Sequence, residues 1–179
     1  MKKTWREPNE HERNPTDMTT LYMPSIEELG FRQRLLADPE TMSYNAAWGG
    51  TIEFPESKWA AWYEQWVANH PQKHFYRYLK NEKGEFVGEV AFHYDPQWGG
   101  YMVSVIVLDA YRGHGYGREG LELLCTAAKS RGIAVLYDDI AIDNPAIELF
   151  RSAGFCEVAR TDKILLLRKE LLPVRTEPV

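Results

Sequence analysis

The chain has 179 residues, enough for one domain with a substantial hydrophobic core and too few for two full domains. Its composition of 44% hydrophobic and 26% charged residues is that of a globular protein and excludes a disordered or collagen-like chain. The formal net charge of −5 disfavours nucleic acid as a partner, because neutralising phosphates requires a basic surface. An acidic chain suits a cationic small molecule better.

Residues 1–18 are polar and show no hydrophobic period, so we expect an N-terminal arm outside the domain. No apolar segment is long enough for a signal peptide or a membrane span, which favours a cytoplasmic protein without a membrane partner. Cys125 and Cys156 lack ligand or disulfide spacing and are expected to be reduced core residues. His70 and His74 have the spacing of metal ligands, but a proline separates them and no third ligand is near, so we expect no metal.

The first third of the chain predicts two helices. Ser25 and Glu28 form a capping-box pattern before spaced leucines, which predicts a helix ending near Ala37. Residues 45–54, which include two adjacent glycines, are expected to form a loop. A second helix with a mostly aromatic face is predicted over residues 55–66.

From residue 73 onward the hydrophobic period changes to about two, which predicts strands. The predicted elements are antiparallel strands at 74–80, 85–94 and 101–108, a helix near 116–131, a strand at 134–142, a helix near 145–153, and strands at 155–160 and 163–169. An antiparallel half followed by a β-α-β-α half predicts a mixed α/β domain (α+β in character) around one central sheet.

The segment VIVLDAYRGHGYGREG, residues 105–120, carries the most chemical information. A strand leads into closely spaced glycines and then an amphipathic helix. Glycines let main-chain N–H groups turn inward, and the helix N-terminus adds about half a positive charge, so this loop predicts an anion site that suits a pyrophosphate. Arg112 and Arg118 flank it.

Two ligand classes fit this loop. Gly115, Gly117 and Gly120 satisfy the dinucleotide pattern GxGxxG, and Asp138 lies in the next predicted strand near the position of a ribose-binding acid. However, only about 60 residues follow, whereas a dinucleotide fold starts at its glycine motif and needs several further parallel strands. A Walker-type phosphate loop is excluded because no Gly-Lys-Ser/Thr closes the motif.

The run Arg112 to Gly117, RGHGYG, resembles the R/Q-x-x-G-x-G/A signature of the GNAT N-acetyltransferases. Residues 140–155, IAIDNPAIELFRSAGF, resemble the family's second signature, in which an Asn, a Leu-Tyr or Leu-Phe pair and a Gly-Phe close the coenzyme site. The resemblance covers roughly residues 75–171. Residues 20–70 match only the family's general plan of a strand and two variable helices.

This resemblance implies one domain, residues 19–172, followed by a tail at 173–179. Its central, mostly antiparallel sheet would have about six or seven strands flanked by about four helices, and would splay open between the fourth and fifth strands around acetyl-coenzyme A. The coenzyme-binding residues implied are Ile106, Val107, Leu108, Arg112, Gly113, His114, Gly115, Tyr116, Gly117, Arg118, Asp143, Asn144 and Phe150. A homodimer is compatible with the family but not established by the spacing.

The resemblance also implies direct attack of an acceptor amine on the thioester, with a main-chain N–H near Leu108 as the oxyanion donor. The family often places an acid on the fourth strand, but that position falls near Met102, which cannot accept a proton. Glu89 and His93 alternate onto one face of the neighbouring strand and are the candidate bases, while solvated strand residues are the simpler interpretation.

Two further positions depart from the family pattern. The usual tyrosine acid for the leaving thiol is replaced by Phe150, so Tyr116 or Tyr137 is a candidate substitute. The spacing from Asn144 to Phe150 is one residue shorter than the common form, which places Asp143 in register instead.

Tryptophans concentrate in the part of the chain that lines the acceptor pocket in the family. Trp48 and Trp98, each beside a Gly-Gly pair, are candidate pocket residues, with Glu53 and Asp95 as acids that would join them to hold a cation. The helical spacing of the other tryptophans, Trp59, Trp62 and Trp66, favours a core face.

The expected function is therefore acetyl-coenzyme A-dependent N-acetylation of a small-molecule amine or a peptide N-terminus. A non-catalytic acyl-coenzyme A-binding module, which would explain Met102 and Phe150 together, and a dinucleotide-binding protein are the alternatives.

Overall fold

A seven-stranded sheet runs through the part of the chain that the computed structural model describes, residues 19–68 and 73–172. The strands lie in the order β1-β2-β3-β4-β5-β7-β6, and every neighbouring pair is antiparallel except β4 and β5. Their bounds are Thr20–Tyr22 (β1), His74–Lys80 (β2), Phe86–Asp95 (β3), Gly100–Val107 (β4), Val135–Ala141 (β5), Cys156–Arg160 (β6) and Ile164–Glu170 (β7).

Four short or medium α-helices accompany the sheet: Gly30–Ala37 (α1), Trp59–Tyr63 (α2), Tyr116–Ser130 (α3) and Ile147–Ser152 (α4). Short segments of 3₁₀ or π geometry lie at Ile26–Leu29, Thr41–Trp48, Glu56–Lys58, Glu64–Ala68 and Asp109–Tyr111. The predicted mixed α/β domain with one mostly antiparallel sheet is confirmed.

Three local predictions need correction. The helix predicted over residues 55–66 is a succession of a 3₁₀ turn at Glu56–Lys58, the short helix α2 and a π turn at Glu64–Ala68. The capping box of Ser25 and Glu28 is present, but it starts a 3₁₀ turn, and α1 begins only at Gly30. The expected loop over residues 45–54 begins inside the 3₁₀ segment Thr41–Trp48, which ends at Gly49 with a φ of 102°. A left-handed residue of this kind ends a helix readily because glycine has no Cβ to clash.

The core has two parts, one on each face of the sheet. On one face, α3 and α4 cover a cluster that includes Leu121, Leu136 and Phe150. On the other face, α1 and the segments around it cover a cluster that includes Leu35 and Tyr76, against which Trp59, Trp62 and Trp66 pack. The tryptophans of the second predicted helix therefore belong to the core face, as their spacing favours.

The β4–β5 edge opens soon after it begins. The two strands pair only at Tyr101 with Leu136 and at Met102 with Tyr137, and then separate. This is the only parallel pair of strands within residues 19–68 and 73–172. A dinucleotide fold needs several parallel strands after its glycine loop, so this topology argues against that alternative.

The remaining predictions concern the ends of the chain, one histidine and the two cysteines. The expected arm (1–18), the expected tail (173–179) and His70 lie outside the described residues. Cys125 is buried as expected, but Cys156 is exposed, because it begins the edge strand β6, whose residues are all exposed. Within the described part of the chain, no helix is both long enough and apolar enough to cross a membrane.

Candidate active site

A cavity of about 1050 Å³ fills the opening between β4 and β5. Its walls include β4 from Met102 to Val107, β5 from Asp138 to Ala141, and the start of α3. At the other end it reaches aromatic residues from the segments that precede β2, including Trp62 and Trp66. One continuous space therefore connects the glycine loop to an aromatic pocket.

The glycine loop forms a cradle at the N-terminus of α3. Gly113 and Gly115 have φ values of 79° and 90°, in the left-handed region that side chains other than glycine rarely adopt. Gly115 is the residue that precedes α3, so the first N–H groups of this 15-residue helix have no carbonyl partner within the helix. Gly113, Gly115 and Gly117 all border the cavity, an arrangement that fits a pyrophosphate.

The third glycine of the motif has a packing role. A Cβ at Gly120 would lie 2.7 Å from Leu79 Cδ1 and 3.2 Å from Val90 Cγ1, so only glycine lets α3 approach the sheet this closely. Of the three glycines in the GxGxxG pattern, Gly115 and Gly117 line the cavity, whereas Gly120 is buried and does not line it.

The charged and polar side chains of the loop mostly bind the protein itself. Arg112 contacts Asp109 at 3.3 Å. It also donates to the carbonyl of Glu40 at 3.2 Å, which anchors the loop to the start of the 3₁₀ segment Thr41–Trp48. Arg118 donates to Ser152 Oγ at 2.8 Å and lines the cavity. His114 Nδ1 donates to the carbonyl of Arg112 at 2.9 Å and does not border the cavity, so the structure does not bring His114 to the expected site.

The second signature lies on the opposite wall. Asn144 is buried, and its Oδ1 accepts the N–H of Ala146 at 2.9 Å, which fixes the entry to α4. Its Nδ2 makes no hydrogen bond to the described residues, and Asn144 borders the cavity together with Asp143 and Phe150. Phe150 is 4% exposed and packs edge-on against Phe155, with ring centroids 5.1 Å apart.

The main chain of β4 differs from the expectation at one point. The N–H of Leu108 donates to the carbonyl of Val87 at 2.9 Å, so it is not available as an oxyanion donor, and Leu108 does not border the cavity. The register of β3 and β4 is continuous, so main-chain groups alternate in direction along β4. The main-chain N–H and C=O groups of Val103, Val105 and Val107 therefore point toward the gap between β4 and β5. Those of Ile106 point toward β3.

Glu89, one of the candidate bases, lies in a buried ion pair. Its Oε1 accepts from Arg32 Nη1 and its Oε2 from the hydroxyl of Tyr76. The side chains of Arg32 and Glu89 are 16% and 5% exposed. Burial lowers the pKa of Arg32, but the charge and hydrogen bond of Glu89 outweigh it and raise this pKa above its ordinary value. The Arg32 guanidinium also lies over Trp62, 4.5 Å from a ring centroid.

His93, the other candidate base, borders the cavity beside aromatic rings. Its ring centroid is 5.5 Å from that of Trp66 and 6.4 Å from that of His74. Burial lowers the pKa of His93, and the charges of Asp95 and Asp139 oppose this shift. The imidazole is therefore mainly neutral near neutral pH.

Comparison with known proteins places this site in a family. The model of the acetyltransferase (GNAT) family matches residues 32–155, more than half of the chain. The chain belongs to the GNAT acetyltransferase family. Members of this family use acetyl-coenzyme A as the acyl donor. No sequence among the curated proteins matches the chain.

Solved structures agree with this GNAT fold. An acetyltransferase described as putative from Salmonella typhimurium, solved with acetyl-coenzyme A, has a TM-score of 0.72 at 20% identity, covering 89% of this chain and 97% of that one. An N-acetyltransferase from Staphylococcus aureus has a TM-score of 0.70 at 19% identity, covering 86% and 99%. A spermidine N-acetyltransferase from Vibrio cholerae, in complex with coenzyme A and spermine, has a TM-score of 0.69 at 17% identity, covering 86% and 96%.

The cavity in this GNAT domain is lined by three of the four expected acceptor residues. Trp48, Asp95 and Trp98 line it, and both tryptophans are about half exposed. Asp95 accepts the N–H of Gln97 at 2.7 Å and so shapes the β3–β4 turn. Glu53 lies instead in a separate shallow depression, because the next residue, Phe54, turns into the core and directs Glu53 to solvent.

Of the two candidate acids of the GNAT domain, Tyr116 lies at the cavity and Tyr137 does not. Tyr116 lines the cavity, with its ring stacked on His114 at 6.2 Å between centroids. Tyr137 does not line the cavity, and its ring packs against Gly100, where an added Cβ would lie 2.6 Å from Tyr137 Cε2. The structure therefore brings Tyr116 to the site and places Tyr137 on β5 with its ring against Gly100 at the start of β4.

The cavity also contains acids that were not considered as bases from the sequence. Asp138 and Asp139, on β5, both line it. Burial raises the pKa of Asp138 well above its ordinary value, and the charge of Asp139 raises it further. Asp138 has the sequence signal of a ribose-binding acid, and its position at the opening of the sheet follows only from the tertiary structure.

Proposed function

We propose that the chain is an acetyl-coenzyme A-dependent N-acetyltransferase that transfers the acetyl group to the primary amine of a small cationic molecule or a peptide N-terminus. The single cavity between β4 and β5 carries this proposal, since it connects a pyrophosphate-type cradle to an aromatic and acidic pocket. A connected space of this kind suits two reactants held together, and good orientation alone is worth about 7 to 11 kcal/mol of the barrier.

The residues present fit the coenzyme. The N–H groups around Gly113, Gly115 and the first turn of α3 would bind the pyrophosphate. The main-chain groups of Val105 and Val107, which face the gap, would bind the pantetheine arm, and the Nδ2 of Asn144 would donate to it from the opposite wall. When bound, acetyl-coenzyme A supplies a thioester that an amine can attack directly.

Three residues that line the cavity support a cationic substrate. Trp48 and Trp98 offer exposed aromatic faces at the cavity, and a cation over such a face gains about 0.5 to 2 kcal/mol. Asp95 adds a carboxylate to the lining of the same cavity. A main-chain N–H of Val105 or Val107 would stabilise the negative charge that develops on the thioester oxygen.

Calorimetric titration with acetyl-coenzyme A, with NAD in parallel, tests the coenzyme site. We expect micromolar binding of acetyl-coenzyme A alone. Turnover is then measured on a panel of amines consisting of spermidine, glucosamine and an alanyl peptide with a free N-terminus. Tight acetyl-coenzyme A binding without turnover on any amine would favour a non-catalytic binding module, and binding of neither ligand by folded protein would refute the proposal.

A further inference from the structure

The opening of the sheet is marked by a carboxyl group on β5. The last pair that joins β4 to β5 is Met102 with Tyr137, so Asp138 is the first residue of β5 after the two strands separate. Leu136 and Ile140, two residues before and after it, alternate into the core beneath α3 and α4. Asp138 lies on the same face but borders the cavity, because β4 no longer covers β5 at this level.

The polar surroundings of Asp138 leave its carboxyl available. No side chain among the described residues donates a hydrogen bond to it or forms an ion pair with it. The nearby main-chain N–H of Asp139 is the group that favours its charged form. Glu89 differs in this respect, since both of its carboxylate oxygens accept hydrogen bonds, one of them from a guanidinium. A carboxylate held by a cation is a weak base.

We propose that Asp138 is the general base of the acetyl transfer, which rests on the function proposed above. The acceptor enters as an ammonium ion, and the Asp138 carboxylate removes one proton, directly or through one water molecule. The freed electron pair of the amine nitrogen forms the new C–N bond as the C–S bond breaks. The second nitrogen proton goes to the departing sulfur, which leaves as a thiol, and Asp138 releases its proton to solvent.

Several titratable groups share the cavity with Asp138. Asp139 follows Asp138 on β5, and Tyr44 lies on the 3₁₀ segment Thr41–Trp48. The other titratable residues of the lining are Arg32, Tyr76, Glu89, His93, Asp95, Tyr111, Arg112, Tyr116, Arg118 and Asp143. Among these groups, Asp139 is the one whose charge raises the pKa of Asp138. Tyr44 and Asp138 both line the cavity. Burial is the main cause that raises the pKa of Tyr44, and the charge of Asp138 contributes.

A base of this kind predicts a specific pH profile. A raised pKa moves the carboxyl from the ordinary aspartate range toward the working pH, where general bases are effective. The value of kcat/KM should fall as pH decreases through the pKa of Asp138, because the protonated carboxyl cannot accept a proton. Asp139→Asn should move this acidic limb to lower pH, because it removes the charge that raises the pKa of Asp138.

The test compares wild type, Asp138→Asn, Asp139→Asn and His93→Gln on each amine of the panel, spermidine first. We expect Asp138→Asn to lower kcat/KM by about 10²- to 10⁴-fold, to remove the acidic limb and to keep the calorimetric affinity for acetyl-coenzyme A. We expect Asp139→Asn to retain the acidic limb and to move it to lower pH. His93→Gln should keep the limb.

A second measurement needs no turnover. Carboxyl ¹³C NMR titration of protein labelled at aspartate should reveal one high-pKa resonance that is absent in Asp138→Asn and titrates at lower pH in Asp139→Asn. Absence of such a resonance would overturn the proposal.

The kinetic outcomes separate the two proposals. If wild type acetylates an amine but Asp138→Asn keeps its rate within about threefold, the assignment of the base is wrong and the proposed function stands. Loss of the limb in His93→Gln instead of Asp138→Asn also overturns the assignment. If wild type acetylates no amine of the panel, the proposed function fails and the base assignment fails with it.

Discussion

Replacing Glu89 with glutamine tests whether this residue supports the fold instead of the chemistry. The substitution removes the negative charge that Arg32 binds and leaves the guanidinium with a neutral partner. The hydroxyl of Tyr76 keeps an oxygen to which it can donate. We expect Glu89→Gln to destabilise the protein strongly while leaving kcat of the remaining folded protein within about threefold of wild type.

The structure sets the magnitude. Removing one partner from a buried ion pair costs about 3 to 5 kcal/mol, because the other charge stays buried without its counter-ion. Here Arg32 keeps its contact with the face of Trp62, at 4.5 Å, which retains part of its stabilisation. We therefore expect a loss of about 3 kcal/mol. For a chain of this length, that lowers Tm by about 6 to 12 °C.

Urea and thermal unfolding near neutral pH measure the loss. The matched control is the double variant Arg32→Met/Glu89→Gln, which removes both charges and should regain at least half of the lost stability. A loss below about 1 kcal/mol in Glu89→Gln would contradict the structural role of the pair. A large loss of kcat in a stable Glu89→Gln protein would return Glu89 to the list of candidate bases.

Other predictions concern the glycine motif, Asp138 and Glu53. Gly120→Ala should lower the free energy of unfolding in urea by about 1 to 3 kcal/mol, because the added Cβ meets Leu79, and should keep the affinity for acetyl-coenzyme A. Gly115→Ala should weaken that affinity in calorimetry at a smaller cost in stability. A raised folded-state pKa makes charged Asp138 destabilising, so Asp138→Asn should have a higher Tm than wild type near about pH 8, and the difference should disappear by about pH 4. Glu53→Gln should leave kcat/KM unchanged for every amine, because Glu53 lies outside the cavity; a clear loss would place it in the acceptor site.

Local chemistry made the glycine loop before α3 predictable. Gly113 and Gly115 adopt left-handed backbone angles, which glycine tolerates because it has no Cβ, so the residue type itself indicates a tight turn. The period-two pattern likewise predicted β2 with its observed bounds, and β3 and β4 within one residue. These signals depend on neighbours in the sequence, so no knowledge of the tertiary structure was needed.

The direction of main-chain groups could not be predicted in the same way. The sequence predicted a strand ending near Leu108 but not which of its N–H groups would face the gap. That choice depends on the register of β4 with β3, in which Leu108 donates to Val87. A shift of one residue would exchange the two sets of groups, and register is fixed by packing of the whole sheet.

By itself, then, the sequence determined the sheet and helix order, the glycine loop before α3 and the family, because backbone conformation and hydrophobic period are local properties. Only the tertiary structure decided the surroundings of the acids. Glu89 is neutralised by Arg32, 57 residues away, and Asp138 lies unpaired where β4 and β5 separate. The reason is electrostatic: the basicity of a carboxyl depends on burial and on charges that arrive from distant parts of the chain.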